Sequence, residues 1–269
     1  MKRYIPLSGK EFITKILSGE RDFSEIKLEE GLKLSDNKDY LELTAYLQKQ
    51  NLKEEPIILN NSKLKNVTMS GIYLPYLECK GANLQGLNAI GSVFHNSDFS
   101  NTSFLRSILN YSNLEKTSFK GADLDKARIN HSLAKDSDFT DAFLLDFFAS
   151  YTDLSNSLFE NTFMKRANIP NSDFTGSHFK KVNTLEANFG GSTLDKIILI
   201  NSDCQRTNLG GASIQYSQIL NTLLLYSNFY GSNLTGTEIR KCQLYDINLV
   251  NSKREKTTFD QSNLQNSRQ

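Results

Sequence analysis

The sequence predicts an all-β solenoid, a β-helix of about ten coils with a small, partly helical amino-terminal cap. Three observations carry this expectation. From Leu59 to Leu264 a residue of one kind recurs at every fifth position without insertion or deletion, and of these 42 centres 17 are Leu, 11 Phe, 5 Ile and 2 Met. The residue two before each centre is Ser, Thr, Ala or Cys in 33 of the 42 cases. Particular residue types also return at a spacing of twenty, as in Phe99, Phe119, Phe139, Phe159 and Phe179.

A period of five suits neither regular element. On a flat strand a residue five along faces the opposite side, and on an α-helix five residues turn about 500°, off any single stripe. Keeping every fifth residue inside therefore requires a bend in each unit. Within each short extended piece the centre and the residue two earlier share a face, so both point inward. The earlier position must be one where a large side chain does not fit.

The clearest copies of the unit are Gly81-Ala82-Asn83-Leu84-Gln85 and Gly121-Ala122-Asp123-Leu124-Asp125, with Asn171-Ser172-Asp173-Phe174-Thr175 a looser one. In these residues the chain resembles the pentapeptide-repeat family, over about three-quarters of its length. The resemblance implies a right-handed quadrilateral β-helix, and the twenty-residue columns support four sides independently. Coils about 4.8 Å apart would stack the Phe rings and let Asn168, Asn188, Asn208, Asn228 and Asn248 form an amide ladder.

Departures follow packing logic. Where Leu87 and Phe147 enlarge the small position, the next centres shrink to Ala89 and Ala149, which conserves core volume. Two centres break the pattern, Thr184 and Arg254. A hydroxyl can bond locally, but a buried cation is costly, so the last coil is expected to fray or to turn Arg254 to solvent.

Residues 1–58 read as a cap over the first coil, and residues 59–269 as the β-helix. A helix is expected at about 37–50, capped by Asp36 or Asp39 and carrying Tyr40, Leu43 and Leu47 on one stripe. A shorter helix around Gly9 to Leu17 and a strand holding Phe23 and Leu28 against the first coil complete the cap. The other end is charged around Lys253, Arg254, Glu255 and Lys256, which protects an exposed edge. By resemblance, tip-to-tip dimers form through that end in many family members.

The composition bounds function. Charged residues make up 23% of the chain, hydrophobic residues 38%, and the net charge is +1. This balance disfavours a single-signed field of the kind that grips nucleic acid. No 18-residue apolar run and no signal-peptide pattern occur, so a cytoplasmic, membrane-free protein is expected. Cys79, Cys204 and Cys242 lack metal-ligand or paired spacing and sit at inward phases, which makes them core filler.

Candidate chemistry is sparse. His95, His131 and His178 fall in unrelated outward columns, and the Asp pairs arise from the favoured Asp or Asn beside each centre. No catalytic, cofactor-binding or metal-ligating residue is assigned. A pocket, were there one, would lie between the cap and the first coils near Tyr73, Tyr76 and Glu78. The column Arg106, Lys126, Asp146, Arg166, Glu186, Arg206 mixes charges and reads as ladder neutralisation, not a phosphate track.

Outward apolar residues are more informative. Leu105, Phe143, Leu145, Phe163, Leu185, Leu223, Leu225 and Tyr245 gather on one face, with Phe148 round the corner. Such a patch on a polar rod marks a binding surface or dimer contact. The expected function is a non-enzymatic protein-interaction scaffold whose partner is an unidentified protein or a second copy, through this face or the carboxy-terminal coil. The resemblance offers an alternative, the DNA-mimicking, quinolone-resistance-like protection of topoisomerases. That role implies a strongly acidic rod, whereas residues 59–269 carry 21 Lys and Arg against 19 Asp and Glu.

Overall fold

The computed structural model describes residues 4–269 as a right-handed quadrilateral β-helix with a helical cap. From Ile58 onward each unit pairs in parallel with the unit twenty residues later, as in Ile58 with Glu78, Lys63 with Asn83, Thr68 with Asn88 and Tyr73 with Val93. These four columns are the four faces, here numbered one to four in that order. On the first face the pairing lengthens into true strands, β3 (Leu158–Glu160), β4 (His178–Lys180), β5 (Ile198–Ile200), β6 (Gln218–Leu220), β7 (Glu238–Arg240) and β8 (Thr258–Asp260), in one parallel sheet.

The amino-terminal segment supplies rungs of its own. β1 (Ile5–Leu7) pairs in parallel with β2 (Ile26–Leu28), and Asp22, Lys27 and Lys33 bridge to Ile58, Lys63 and Thr68. The second face therefore has thirteen rungs, running Pro6, Lys27, Lys63, Asn83 and on to Asn263. That is slightly more than the ten counted from the repeat, because the first rungs do not keep the five-residue phase. α1 (Gly9–Leu17) begins with a capping box, Ser8 Oγ accepting from Glu11 N at 3.2 Å while Ser8 N donates to the Glu11 carboxylate at 2.8 Å. It buries Phe12, Ile13 and Ile16, and Phe12 meets Phe23 edge to face at 4.9 Å.

α2 (Tyr40–Leu47) is shorter than the stretch about 37–50 expected from the sequence. A single 3₁₀ turn, Leu34–Asp36, precedes it, and Asp39 at its start makes no side-chain cap. The Asn37 side chain instead accepts from Asp39 N at 3.0 Å. Tyr40, Leu43 and Leu47 are buried, and the Tyr40 hydroxyl donates to Ser70 O at 3.0 Å, tying the helix to the third face.

Inside the rod every centre from Leu59 to Leu249 is buried, and so is every residue two before. Phe99, Phe119, Phe139, Phe159 and Phe179 stack with centroids 5.7, 5.0, 5.0 and 4.8 Å apart. The Asn168 to Asn248 amides form a continuous ladder with bonds of 2.8, 2.8, 2.9 and 3.1 Å. Phe147 and Ala149 are both buried, so the large side chain enters the core from the small position as the volume argument requires.

The small position does more than leave room. A corner interrupts the ladder and strands a buried backbone N–H and carbonyl there, which must find partners. Ser157 Oγ donates to Ala134 O at 3.1 Å and accepts from Ser137 N at 3.2 Å. Ser112, Ser172 and Ser217 make the same two bonds to the preceding coil. Ala corners instead close a local turn, as in Ala122 N to Phe119 O at 2.9 Å. The last outward residue of each unit turns the chain in a left-handed conformation, for example Asn61, Gly81, Asn101 and Gly121 with φ near 60°. Gly and Asn tolerate it most readily.

Both irregular centres have structural answers. Thr184 is buried, its hydroxyl 2.9 Å from that of Thr207, and it borders an apolar interior cavity of about 30 Å³ that Phe179, Phe189, Cys204 and Leu209 also line. Arg254 does not fray its coil. Lys253 N still donates to Ser232 O at 2.8 Å and Thr258 N to Thr237 O at 3.1 Å, while the half-buried guanidinium reaches Gln269 Oε1 at 3.5 Å.

Two stability outcomes follow from these contacts. Ser157→Ala removes two buried hydrogen bonds, which the Ser137 amide recovers only in part by closing onto Ala134 O as amides do beneath Ala corners, so urea denaturation should show a loss of about 0.5–1.5 kcal/mol. An unchanged midpoint contradicts the bridging role. Thr184→Leu fills the cavity while Thr207 keeps its bond to Thr184 O at 2.9 Å, and should raise stability by about 1 kcal/mol. A lowered melting temperature instead means that the cavity cannot take a branched side chain.

Candidate functional site

Phe143 and Phe163 occupy the same outward position in consecutive coils of the second face. They are 48% and 52% exposed, and their rings stack at 5.5 Å with a 6° interplanar angle. The twenty-residue register forces this contact, since Phe143 pairs directly with Phe163. The amino-terminal segment does not cover them, because its bridges reach only Ile58, Lys63 and Thr68.

The other seven residues of the expected patch are half-buried. Leu105, Leu145, Leu185 and Leu225 lie in one column but alternate with Asp125, Lys165 and Gln205. Leu223 is separated from Phe163 by Asn183 and Asp203, and Tyr245 lies beyond Leu225. Leu145 sits beside Phe143 across the buried Leu144, so the apolar groups concentrate at Phe143, Leu145 and Phe163 and do not form a continuous stripe. Phe148, on the third face, lies under the Arg128 guanidinium at 5.0 Å.

The charged corner between the second and third faces divides in two. Arg166 binds Asp146 through both carboxylate oxygens at 2.7 and 3.0 Å, and Arg206 lies 3.8 Å from Glu186. The guanidinium holds the Asp146 carboxyl below its ordinary pKa. Neutralisation along the column is thus confined to its upper four members. Arg106 and Lys126 form no ion pair among the described residues. Asp125 nearby is pushed above the usual carboxylate range by burial, while Leu145 N donates to its Oδ1 at 2.8 Å and opposes that shift.

Further exposed groups escape a reading of centres alone. Tyr111, His131 and Tyr151 stack at 5.0 and 5.1 Å on the corner after the third face. Leu158, His178 and Ile198 stand in register on the first face, beside Ile200 and Leu220. Both groups share an outward phase at a spacing of twenty, so a scan of outward columns could have found them as readily as the Phe ladder.

Near the cap, Tyr76, Glu78, Lys80 and Asp98 with Lys53 and Pro56 line an open cleft of about 240 Å³. Of its two acids Asp98 is engaged, accepting from Ser100 N at 2.9 Å and facing Lys80 Nζ at 3.2 Å. The thiols are buried and poor nucleophiles: burial raises all three, Cys204 up to about 12. Among the described residues no three His, Cys, Asp or Glu side chains converge as a metal site, and no helix is long and apolar enough to cross a membrane.

Comparison with known proteins agrees with this geometry. The chain is similar in structure to HetL, a pentapeptide repeat protein involved in heterocyst differentiation regulation from the cyanobacterium Nostoc sp. strain PCC 7120. The TM-score is 0.53 and the identity 14%, over 97% of this chain and 96% of that one. QnrB1, a plasmid-mediated fluoroquinolone resistance protein, aligns at a TM-score of 0.34 and 19% identity, over 67% of this chain and 87% of its own. No curated protein matches the sequence significantly. The family of pentapeptide repeats matches in eight copies over residues 78–115, 109–141, 150–183 and 221–267. With more than half of its length matched and its coils built from the same five-residue unit, the chain belongs to the pentapeptide-repeat family.

Proposed function

We propose that this chain is a non-enzymatic protein-interaction scaffold whose docking surface centres on Phe143 and Phe163, with Leu145 beside them. The observation that carries the reading is the stacked pair itself. Two aromatic rings, each about half exposed, stand side by side on a rod whose other outward positions are mainly polar. Aromatic groups at the middle of a polar surface are the usual anchors of protein interfaces. Repeat stacking meanwhile supplies a rigid frame, so little ordering cost falls on binding.

The same surface serves a partner protein or a second copy of the chain, and the carboxy-terminal coil is the other place where two copies would meet. Three free, buried thiols support a reducing compartment such as the cytoplasm. The clefts on this rod are open, and Asp98 and Asp146 in them are held by Lys80 and Arg166, which supports binding over catalysis. Topoisomerase protection by DNA mimicry draws no support from a rod that carries as many basic as acidic residues.

The test is the double variant Phe143→Ser/Phe163→Ser. Both side chains are outward, so circular dichroism and the melting temperature should change little. Loss of each anchor costs about 2 kcal/mol of binding, so pull-down from native lysate should lose its bound protein, or light scattering should show a dimer become a monomer. A variant that keeps both its bound proteins and its oligomeric state refutes the reading.

A further inference from the structure

Along this rod several cations pair with an acid of the neighbouring coil. Lys135 lies 3.1 Å from Glu115, Lys180 2.6 Å from Glu160, Arg166 2.7 Å from Asp146 and Arg240 3.1 Å from Asp260. One corner instead stacks like charges. Arg106 and Lys126 are the only two cations between Leu59 and Leu264 that stand twenty residues apart, directly above one another. Arg128 joins them from across the corner, on the far side of the buried Ala127.

The three cations share an open cleft of about 480 Å³ with Ile108, Asp146 and Phe148. Among the described residues none of the three is in an ion pair. Asp146 is held by both nitrogens of Arg166, and Asp125 by the Leu145 amide. Like charges at stacked positions repel and give the fold nothing in return.

The cleft lies next to the apolar surface along the chain. Leu145 is the residue before Asp146, and Phe143 and Leu145 flank the same buried centre, Leu144. We propose that Arg106, Lys126 and Arg128 are the charged flank of the docking surface, and that the partner segment is acidic, with an apolar side chain seated on Phe143 and Phe163 and carboxylates following it toward the corner. This rests on the reading of Phe143 and Phe163 as a protein-docking surface and adds the chemistry of what docks. A nucleic acid fits poorly. The cations end after two coils, the column then alternates in sign through Asp146 and Glu186, and a phosphate backbone needs a longer basic track. Arginine forks beside an apolar wall suit carboxylates presented on a peptide.

Fluorescence anisotropy on the full chain tests this with two labelled peptides, Gly-Phe-Phe-Gly-Glu-Glu-Glu-Glu and the same peptide with every Glu replaced by Gln. The acidic peptide should bind at least about tenfold more tightly at low salt, and the gap should close as ionic strength rises toward ~0.5 M. The variant Arg106→Gln/Lys126→Gln/Arg128→Gln should erase the gap, and Lys126→Glu alone should narrow it. Phe143→Ser/Phe163→Ser should weaken both peptides. Equal affinity of the two peptides, a gap that survives the triple substitution, no binding of either, or tighter binding of a duplex DNA overturns the proposal. Should both peptides bind equally and depend on Phe143 and Phe163, the acidic partner is wrong and the docking surface stands.

Discussion

Every corner of this rod takes a piece of backbone inside and removes it from the strand ladder. An N–H or carbonyl left unpaired there would cost about as much as several tenths of the stability of a small domain. The hydroxyl of the small residue answers both needs at once, donating to a carbonyl and accepting an amide of the preceding coil, as Ser157 does between Ala134 and Ser137. The rest depends on pairing these corner groups. Where the small residue is Ser this bridge does so, and where it is Ala the amide closes onto the carbonyl three residues back, as Ala122 N does to Phe119 O; either way the chain bends every five residues with each Leu or Phe centre inside.

Because each bridge and each ladder bond runs to an adjacent coil, stability is a sum of nearest-neighbour terms. Local irregularities therefore stay local. Thr184 opens a small cavity without disturbing the register of its neighbours. Arg254 occupies an inward position in the last coil while the backbone pairing around it continues. The same locality separates core from surface. An outward residue such as Phe143 or Arg106 is set by no packing requirement within its own coil, so its departures from the polar norm are the places where recognition by a partner can be written.

Much of this was legible in the residues. The five-residue phase identified the core positions, the volume swap at Phe147 and Ala149 predicted how a large side chain enters the interior, and columns at twenty predicted the Phe and Asn ladders. Less was legible at the cap, where the periodicity is helical and short. Asp39 looked like a cap but makes no such bond, and its backbone (φ −90°, ψ 4°) lacks the extended conformation from which an N-cap side chain reaches the first turn. At the candidate surface the sequence named nine apolar residues, and it could not tell that seven of them lie half-covered. Exposure depends on the size of neighbours in the coils above and below.

Phase alone assigned each residue of the β-helix to the inside or the outside, since a strict repeat has one solution that buries every centre. It also assigned the ladder partners, because neighbours in a four-sided coil are always twenty apart. Which outward groups meet productively was decided only in three dimensions. Side-chain reach between stacked coils let Arg166 take Asp146 while Arg106, Lys126 and Arg128 were left without a carboxylate within ion-pair distance. Position in the sequence sets the column a charge belongs to, but rotamer and distance determine which neighbour it answers.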